Sequence, residues 1–183
     1  MVGRMIGLPY HNNIAPTHMP KIHLDIQLVR QLPTTHTATI PGDYLDDMGH
    51  MNVMWYTHLF SMAMGGMLQL IGLTQDHVEL RHGGSFALES HIRYLSEVRV
   101  GHSIQVYTRM LGRTSKRYHV LHAMINDQKQ DVAATFEAVG AYIDMSTRRM
   151  AEFPPEITQP LDRLIEQHQQ LAWPAPVCGI MHP

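Results

Sequence analysis

The sequence is poor in charge and almost free of cysteine. Charged residues make up only 16% of the 183, and the formal net charge is −2. A nucleic-acid-binding domain normally carries a basic face, and nothing here supplies one. The single cysteine, Cys178, excludes a disulfide framework and a cysteine-rich zinc site. It stands outside every motif and reads as an inert surface thiol. No HExxH occurs among the 14 histidines, and no internal repeat or low-complexity segment is present. His119 and His122 are three apart in a stretch that reads as a strand, where they point to opposite sides, so no metal site is expected. The N-terminal MIGLPY is broken by glycine and proline before it reaches the length of a signal peptide's apolar region, so the expected location is cytoplasmic. The longest apolar stretch, Val53 to Leu73, approaches membrane-span length. It carries Tyr56, Thr57, His58, Ser61, Gln69 and two adjacent glycines, and reads as a buried helix rather than a span.

What is present is apolar material for one core: 44% of the residues. Residues 1–33, punctuated by Pro9, Pro16, Pro20 and Pro33, read as an N-terminal arm. Within it Ile22, Leu24, Ile26 and Leu28 alternate with polar residues, which fits a short strand, while Val29 and Leu32 leave a short helix open. Thr34 to Ile40 is rich in β-branched residues and ends at Pro41-Gly42, a strand closed by a turn. Asn52 is a good helix N-cap, followed by apolar residues at Val53, Tyr56, Phe60, Ala63, Met67 and Ile71. Other apolar residues fill the remaining faces, so this helix must be enclosed. Gly65-Gly66 is tolerable there if another backbone packs closely, and Gly72 is a plausible stop.

Thr74 to Gly84 is polar and reads as a loop. Four strand-like runs follow. Phe86, Leu88, Ile92 and Tyr94 share one face of the first; Ile104, Val106, Thr108 and Met110 share one face of the second. The third is Arg117 to Asn126 and the fourth Val132 to Asp144, with short connections that imply an antiparallel meander. Leu161, Leu164, Ile165 and His168 suggest a short C-terminal helix before an irregular proline-containing tail. The expected organisation is an arm over 1–33, a domain over 34–158, and a helix and tail over 159–183. The fold class is α+β: an open sheet of about five strands, of mixed pairing, around one apolar helix. One helix cannot cover both faces of such a sheet, so a dimer is expected.

The chemistry concentrates in Asp43 to Tyr56, DYLDDMGHMNVMWY. A carboxylate just before a helix N-terminus can attack a carbonyl or activate water, while the helix's free N–H groups hold the developing oxyanion. Asp46 and Asp47 lie six and five residues before Asn52. Gly49 lets the backbone approach a ligand, and His50 and Asn52 can hydrogen-bond a substrate or orient water. The plainer reading stays open: two acids compensating a helix dipole, and an asparagine that is only a cap. Asp46, Asp47 and His50 lack the further ligands of a metal site.

This stretch resembles the hotdog-fold acyl-CoA thioesterases, the 4-hydroxybenzoyl-CoA thioesterase-like group, whose motif reads roughly D-x-x-G-H-x-N-x-x-x-Y. Asp46, Gly49, His50, Asn52 and Tyr56 match it in register. FALESHIRYLSEVRVG, Phe86 to Gly101, looks like the strand pair after the hotdog helix. Ser115 to His119 and AYIDMSTRRMAEFP, Ala141 to Pro154, are similar to the betainyl-CoA thioesterase-like branch. That branch tends to carry an acid before its Lys-Arg pair, where this chain has Thr114-Ser115. The resemblance covers about 34–158. It implies a long helix wrapped by an antiparallel sheet, sheets paired in a homodimer or a dimer of dimers, and active sites at the dimer interface. The implied reaction is hydrolysis of an acyl-CoA thioester, with coenzyme A part of the substrate and no separate cofactor. Asp46 matches the catalytic carboxylate, acting as nucleophile or general base, with His50 and Asn52 beside it. Backbone N–H groups near Asn52 to Met54 would polarise the carbonyl. The family variant with a Glu on the helix is excluded, because no acid lies between Val53 and Leu73.

Gly49 and Tyr56 are expected to bind substrate. Glu89, grouped by alternation with Ala87, His91 and Arg93, either approaches a partner's loop or is a solvated strand residue. Lys116 and Arg117 either meet coenzyme A phosphates or form a solvated turn. Met48, Met51 and Met54 near the helix start suit a flexible acyl pocket or the core. Two other functions compete: a hotdog hydratase or dehydratase, for which the loop lacks the Asn-Pro often found between Asp and His, and a non-catalytic acyl-CoA binder.

Overall fold

The computed structural model describes residues 24–183; residues 1–23, with most of the expected arm and the MIGLPY stretch, lie outside the described residues. The chain orders as α1 (Ile26–Val29), β1 (Thr34–Thr39), α2 (Val53–Leu70), α3 (Gln75–Arg81), β2 (Gly83–Tyr94), β3 (Ser103–Arg113), β4 (Arg117–Asn126), β5 (Asp131–Asp144), β6 (Arg149–Met150) and α4 (Pro155–Gln169). The sheet runs β1-β3-β4-β5-β2, with the short β6 also on β5. Every pair is antiparallel, so the mixed pairing read from the strand pattern is corrected. This is the hotdog arrangement: α2 lies along the concave face of a curled sheet.

The sequence explains most elements locally. Asn52 caps α2, its Oδ1 accepting the Met54 N–H at 3.0 Å. The helix ends at Gly72, whose φ of +85° few other residues adopt. Tyr56, Leu59, Phe60, Ala63 and Met67 form its buried stripe. They pack on Ile104, Val106, Met110, Tyr118, Val120 and Met124 of the sheet. A Cβ at Gly66 would overlap the Thr35 carbonyl oxygen, so β1 crosses α2 at backbone distance, as the glycine pair implied. The helix is not enclosed all round, however. Val53, Met54, Met62 and Leu70 are exposed on its far side.

Three segments depart from the pattern. Residues 26–29 are helix, because the Asp25 carboxylate caps the Gln27 N–H at 2.8 Å. The polar stretch after Thr74 also holds a helix, α3, capped by the Thr74 hydroxyl and closed by His82 at a φ of 52°. In β2 a bulge falls between Ala87 and Glu89, which pair with Gly140 and Val139. The extra residue, Leu88, reverses the alternation. Phe86 therefore lies on the opposite face from Ile92 and Tyr94, and Ala87 on the opposite face from Glu89. Nor do all four strands form a consecutive meander: β2 crosses to the far edge and pairs β5.

The convex face is covered by the chain itself. Val29 and Leu32 pack with Tyr107, Ala123, Ile125, Val132 and Trp173. The segment after α4 is fastened by buried charge. Arg109 donates to the Trp173 and His168 carbonyls at 2.7 and 3.0 Å and stacks on the Trp173 ring. Glu137 accepts the Cys178 N–H at 2.6 Å and meets His119 Nε2 at 2.8 Å. The expected need for a partner to cover this face is thus corrected. What stays open is the far edge of β2, whose residues 87–90 are exposed.

Two stability predictions follow from these contacts. Gly66→Ala meets the Thr35 backbone and is expected to cost about 1–3 kcal/mol, seen as a lower thermal midpoint. Gly65→Ala meets nothing within 4 Å and is expected to be neutral or to gain about 0.5–1 kcal/mol in the same measurement. The second prediction concerns pH. His122 is fully buried beside Phe60 and Phe136, with Nδ1 2.7 Å from the Thr108 hydroxyl and Nε2 unpartnered. Burial pushes its pKa down to about 3; burial, then the nearby Arg109 charge, pushes His168 down to about 4. The unfolded chain binds these protons near pH 6.5, so stability is complete above that pH and falls below it. Each group removes about 1.4 kcal/mol per pH unit in that window. Urea unfolding at pH 7.5, 6 and 5 should show the fall, with a shallower slope in His122→Asn.

Candidate active site at the start of the central helix

The loop between β1 and α2 is built around one carboxylate. Asp46 Oδ1 accepts the backbone N–H groups of Met48 and His50 at 2.9 and 3.2 Å. The Asp46 backbone closes the same turn with His50 and Gly49, and Gly49 takes a φ of +79° that suits glycine. Leu45 and Met51 pair across the base of the loop. One hydrogen bond hooks it to the body, Met51 N–H to Val98 carbonyl at 2.8 Å, and a second closes the loop on itself, Asn52 N–H to Tyr44 carbonyl at 2.9 Å. Tyr44 stacks flat on Trp55, centroids 3.7 Å apart, which sets the entry angle of α2.

This hydrogen-bonding narrows the expected oxyanion site. The Asn52 N–H is used by Tyr44 and the Met54 N–H by the cap. Val53, the first helical residue, has an N–H beyond the reach of any intrahelical acceptor, at the positive end of the helix. Its side chain is exposed and borders a cleft of about 290 Å³ lined also by Met51, Tyr56 and residues 94–97. Tyr56 is buried at the base, its ring edge-on to Tyr94 at 5.2 Å, and burial raises its pKa. Asp46 is half-buried with one oxygen engaged by the loop, whereas Asp47 is exposed.

His50 does not pair with Asp46 through its ring. Nε2 meets Glu97 Oε2 at 2.6 Å. Glu97 Oε1 receives Arg99 at 2.9 Å and Lys129 at 3.4 Å. Burial works against the charged form of Glu97. Hydrogen bonding and charge from Lys129 and Arg99, with His50 adding, outweigh it and hold the carboxyl below the ordinary range. Glu97 was not among the residues singled out from the sequence. It lies in the 86–101 block, where the alternating apolar residues carry the pattern, and its one local signal is Arg99 two residues on.

The other expected residues lie elsewhere in the same chain. Glu89 is exposed on the open edge strand, on the convex face with His91 and Arg93. Lys116 and Arg117 are exposed at the β3–β4 turn. That turn is held by the Thr114 hydroxyl, which accepts the Arg117 N–H at 3.1 Å, a role an acid at the same place would also fill. The opposite end of β4 is the end near the loop, and ten residues of strand span about 30 Å. Among the described residues, no three His, Cys, Asp or Glu side chains converge as a metal ligand set. No described helix is long and apolar enough to cross a membrane.

A family model described as the thioesterase-like superfamily matches residues 40–161, from the end of β1 into α4. A Pseudomonas aeruginosa protein named betainyl-CoA thioesterase is 29% identical over 144 residues, 79% of this chain and 91% of that one. An Agrobacterium fabrum protein named L-carnitine dehydrogenase/betainyl-CoA thioesterase is 34% identical over 134 residues. The match takes in 73% of this chain but only 27% of that protein, so the chain spans about a quarter of its length. A Staphylococcus aureus protein solved in complex with CoA superposes with a TM-score of 0.72 at 25% identity, covering 78% of this chain and 90% of that one.

The loop geometry separates two substitutions at one position. Asp46→Asn keeps an oxygen for both backbone N–H groups and is expected to unfold within about 0.5 kcal/mol of the parent. Asp46→Ala loses both bonds and is expected to cost about 1–2 kcal/mol by thermal or urea unfolding.

Proposed function

Because the chain belongs to the thioesterase-like superfamily, we propose that it hydrolyses an acyl-CoA thioester to a free acid and coenzyme A. The observation that carries this reading is the Asp46 loop at the start of α2. One carboxylate oxygen is held by the backbone, the other is left for chemistry, and the next element begins with the unused Val53 N–H. The thioester carbonyl sits over that N–H, where the helix end stabilises the oxyanion. Asp46 either attacks the carbonyl carbon, forming a mixed anhydride that water then hydrolyses to the free acid, or takes a proton from a water that attacks instead; in both routes the coenzyme A thiolate leaves with the C–S electron pair. Thiolate is a good leaving group, so one carboxylate and one oxyanion donor suffice. The named relatives point to a small, betainyl-like acyl group, and the cleft of about 290 Å³ suits a short acyl chain. The expected location is cytoplasmic.

The working unit in this reading is a two-fold dimer. The open edge of β2 and the exposed Val53, Met54, Met62 and Leu70 of α2 support it. Antiparallel pairing of two β2 edges sets the Phe86 end of one strand beside the Tyr94 end of the other. Arg117, Ala141 and Phe86 form one row across the sheet, so the partner's end of that row would flank this chain's cleft. Lys116 and Arg117 would then serve coenzyme A phosphates in the neighbouring site, which they cannot reach in their own.

The test is a panel of acyl-CoAs offered to purified protein with a thiol reagent. Coenzyme A release is expected for short acyl groups, with kcat lower by about 100- to 10,000-fold in Asp46→Asn. No release from any thioester, or an Asp46→Asn variant as fast as the parent, overturns the reading; hydration of an enoyl-CoA instead points to the hydratase class.

A further inference from the structure

The His50 ring has one polar partner among the described residues, and it is Glu97. Their backbones are neighbours too, since the Met51 N–H bonds the Val98 carbonyl. Glu97 is itself fixed. Arg99 holds Oε1 from the same segment, and Lys129 reaches it from the β4–β5 turn. Asp46, by contrast, meets only the backbone of His50. Among the described residues, no other polar contact fixes which way the imidazole turns.

We propose that Glu97 is a positioning residue for the reaction: it holds the His50 ring by its Nε2 proton and so presents Nδ1 to the reacting groups. This rests on the thioesterase reading above and adds a residue to it. The pairing is short and charge-assisted, and it is half open to solvent, with both side chains 35% exposed. An exposed pair of this kind adds little to folding stability. Its consequence lies in the ring. With Nε2–H directed at a carboxylate, neutral His50 has its lone pair on Nδ1, and a proton accepted there is stabilised by Glu97 across the ring. Glu97 also borders the cleft with Val53 and Tyr56, so the carboxylate that holds the ring belongs to the wall of the proposed oxyanion site. The charged and titratable groups around His50 are Asp46, with the exposed Asp43 and Asp47, on its own loop; Glu97 and Arg99 on the facing segment; and Lys129 on the β4–β5 turn. Tyr56 and Tyr94 border the cleft, and Asp131 acts on Tyr56 from β5.

Glu97→Ala removes the acceptor of the His50 Nε2 proton; Glu97→Gln keeps an oxygen that can accept it. The parent and both variants are compared by kcat and KM, by thermal unfolding, and by nitrogen-15 NMR of the His50 ring, which reports the nitrogen that bears the proton, assigned with His50→Asn. The parent ring is expected to carry its proton on Nε2. Glu97→Ala is expected to lower kcat about tenfold or more, with KM within about twofold and an unchanged thermal midpoint, and Glu97→Gln to recover part of that loss. A parent ring protonated on Nδ1 instead, a Glu97→Ala variant as fast as the parent, or a loss of kcat matched by a loss of thermal stability overturns the proposal. A parent protein that releases no coenzyme A overturns the functional reading itself. A parent that hydrolyses, beside a Glu97→Ala variant that is equally fast, overturns this assignment alone.

Discussion

An 18-residue helix without one Asp, Glu, Lys or Arg has to be taken out of water, and the rest of the chain is arranged around that constraint. The sheet curls over the stripe from Tyr56 to Met67, with every inward residue of β3, β4 and β5 that meets it buried. The approach is closest at Gly66, where no side chain separates α2 from the β1 backbone. Burial at this density leaves few places for polar groups, and those present are specialised. Thr35, Thr108 and His122 form a relay of hydroxyls and a neutral imidazole under the helix. On the convex side, buried Arg109 and Glu137 are satisfied by the tail backbone, and Glu137 also by His119.

The same constraint bears on where the proposed chemistry falls. A helix buried along its length is accessible at its ends, and its N-terminal end carries unused N–H groups and a positive dipole. The chain must enter that end through a loop, so in the proposed mechanism a loop carboxylate and the oxyanion donor come from one continuous stretch of chain. Asp46 shapes the loop with one oxygen and leaves the other. Asn52 and Tyr44 take up the neighbouring N–H groups, which singles out Val53. Glu97 enters from a different part of the chain and reaches the ring that Asp46 leaves unheld.

Most of the local structure was legible in the residues. Asn52 and Gly72 bound the helix as caps do, Gly66 meets the close backbone on which the glycine pair was conditional, and the alternation in β3 assigned the correct face. What was not legible is what depends on distant pairing. The position of β2 at the far edge, beside β5, leaves no trace in its own pattern. Leu88 is an ordinary strand residue, and only its lack of a partner on β5 makes it a bulge that turns Phe86 away from Ile92. The Asp25 cap outweighed a period-two pattern too short to hold residues 26–29 as strand. The candidate site divides in the same way. The residues contiguous in the loop could be singled out as candidates from spacing, whereas Glu97, forty-seven positions beyond His50, needed the fold to bring it to the loop. Lys116, Arg117 and Glu89 stay apart from the cleft within one chain, and spacing alone gave no sign of that.

In the proposed mechanism the reacting carbonyl is held at the start of α2 by the Asp46 loop. A crystal structure of Asp46→Asn with a non-hydrolysable acyl-CoA analogue is then expected to show the carbonyl oxygen within hydrogen-bond distance of the Val53 N–H, the residue 46 side chain facing the carbonyl carbon, and the His50 ring still bound to Glu97. An analogue seated at the other end of α2, in the cleft between Leu68 and Phe86, with the Val53 N–H facing solvent, would contradict it.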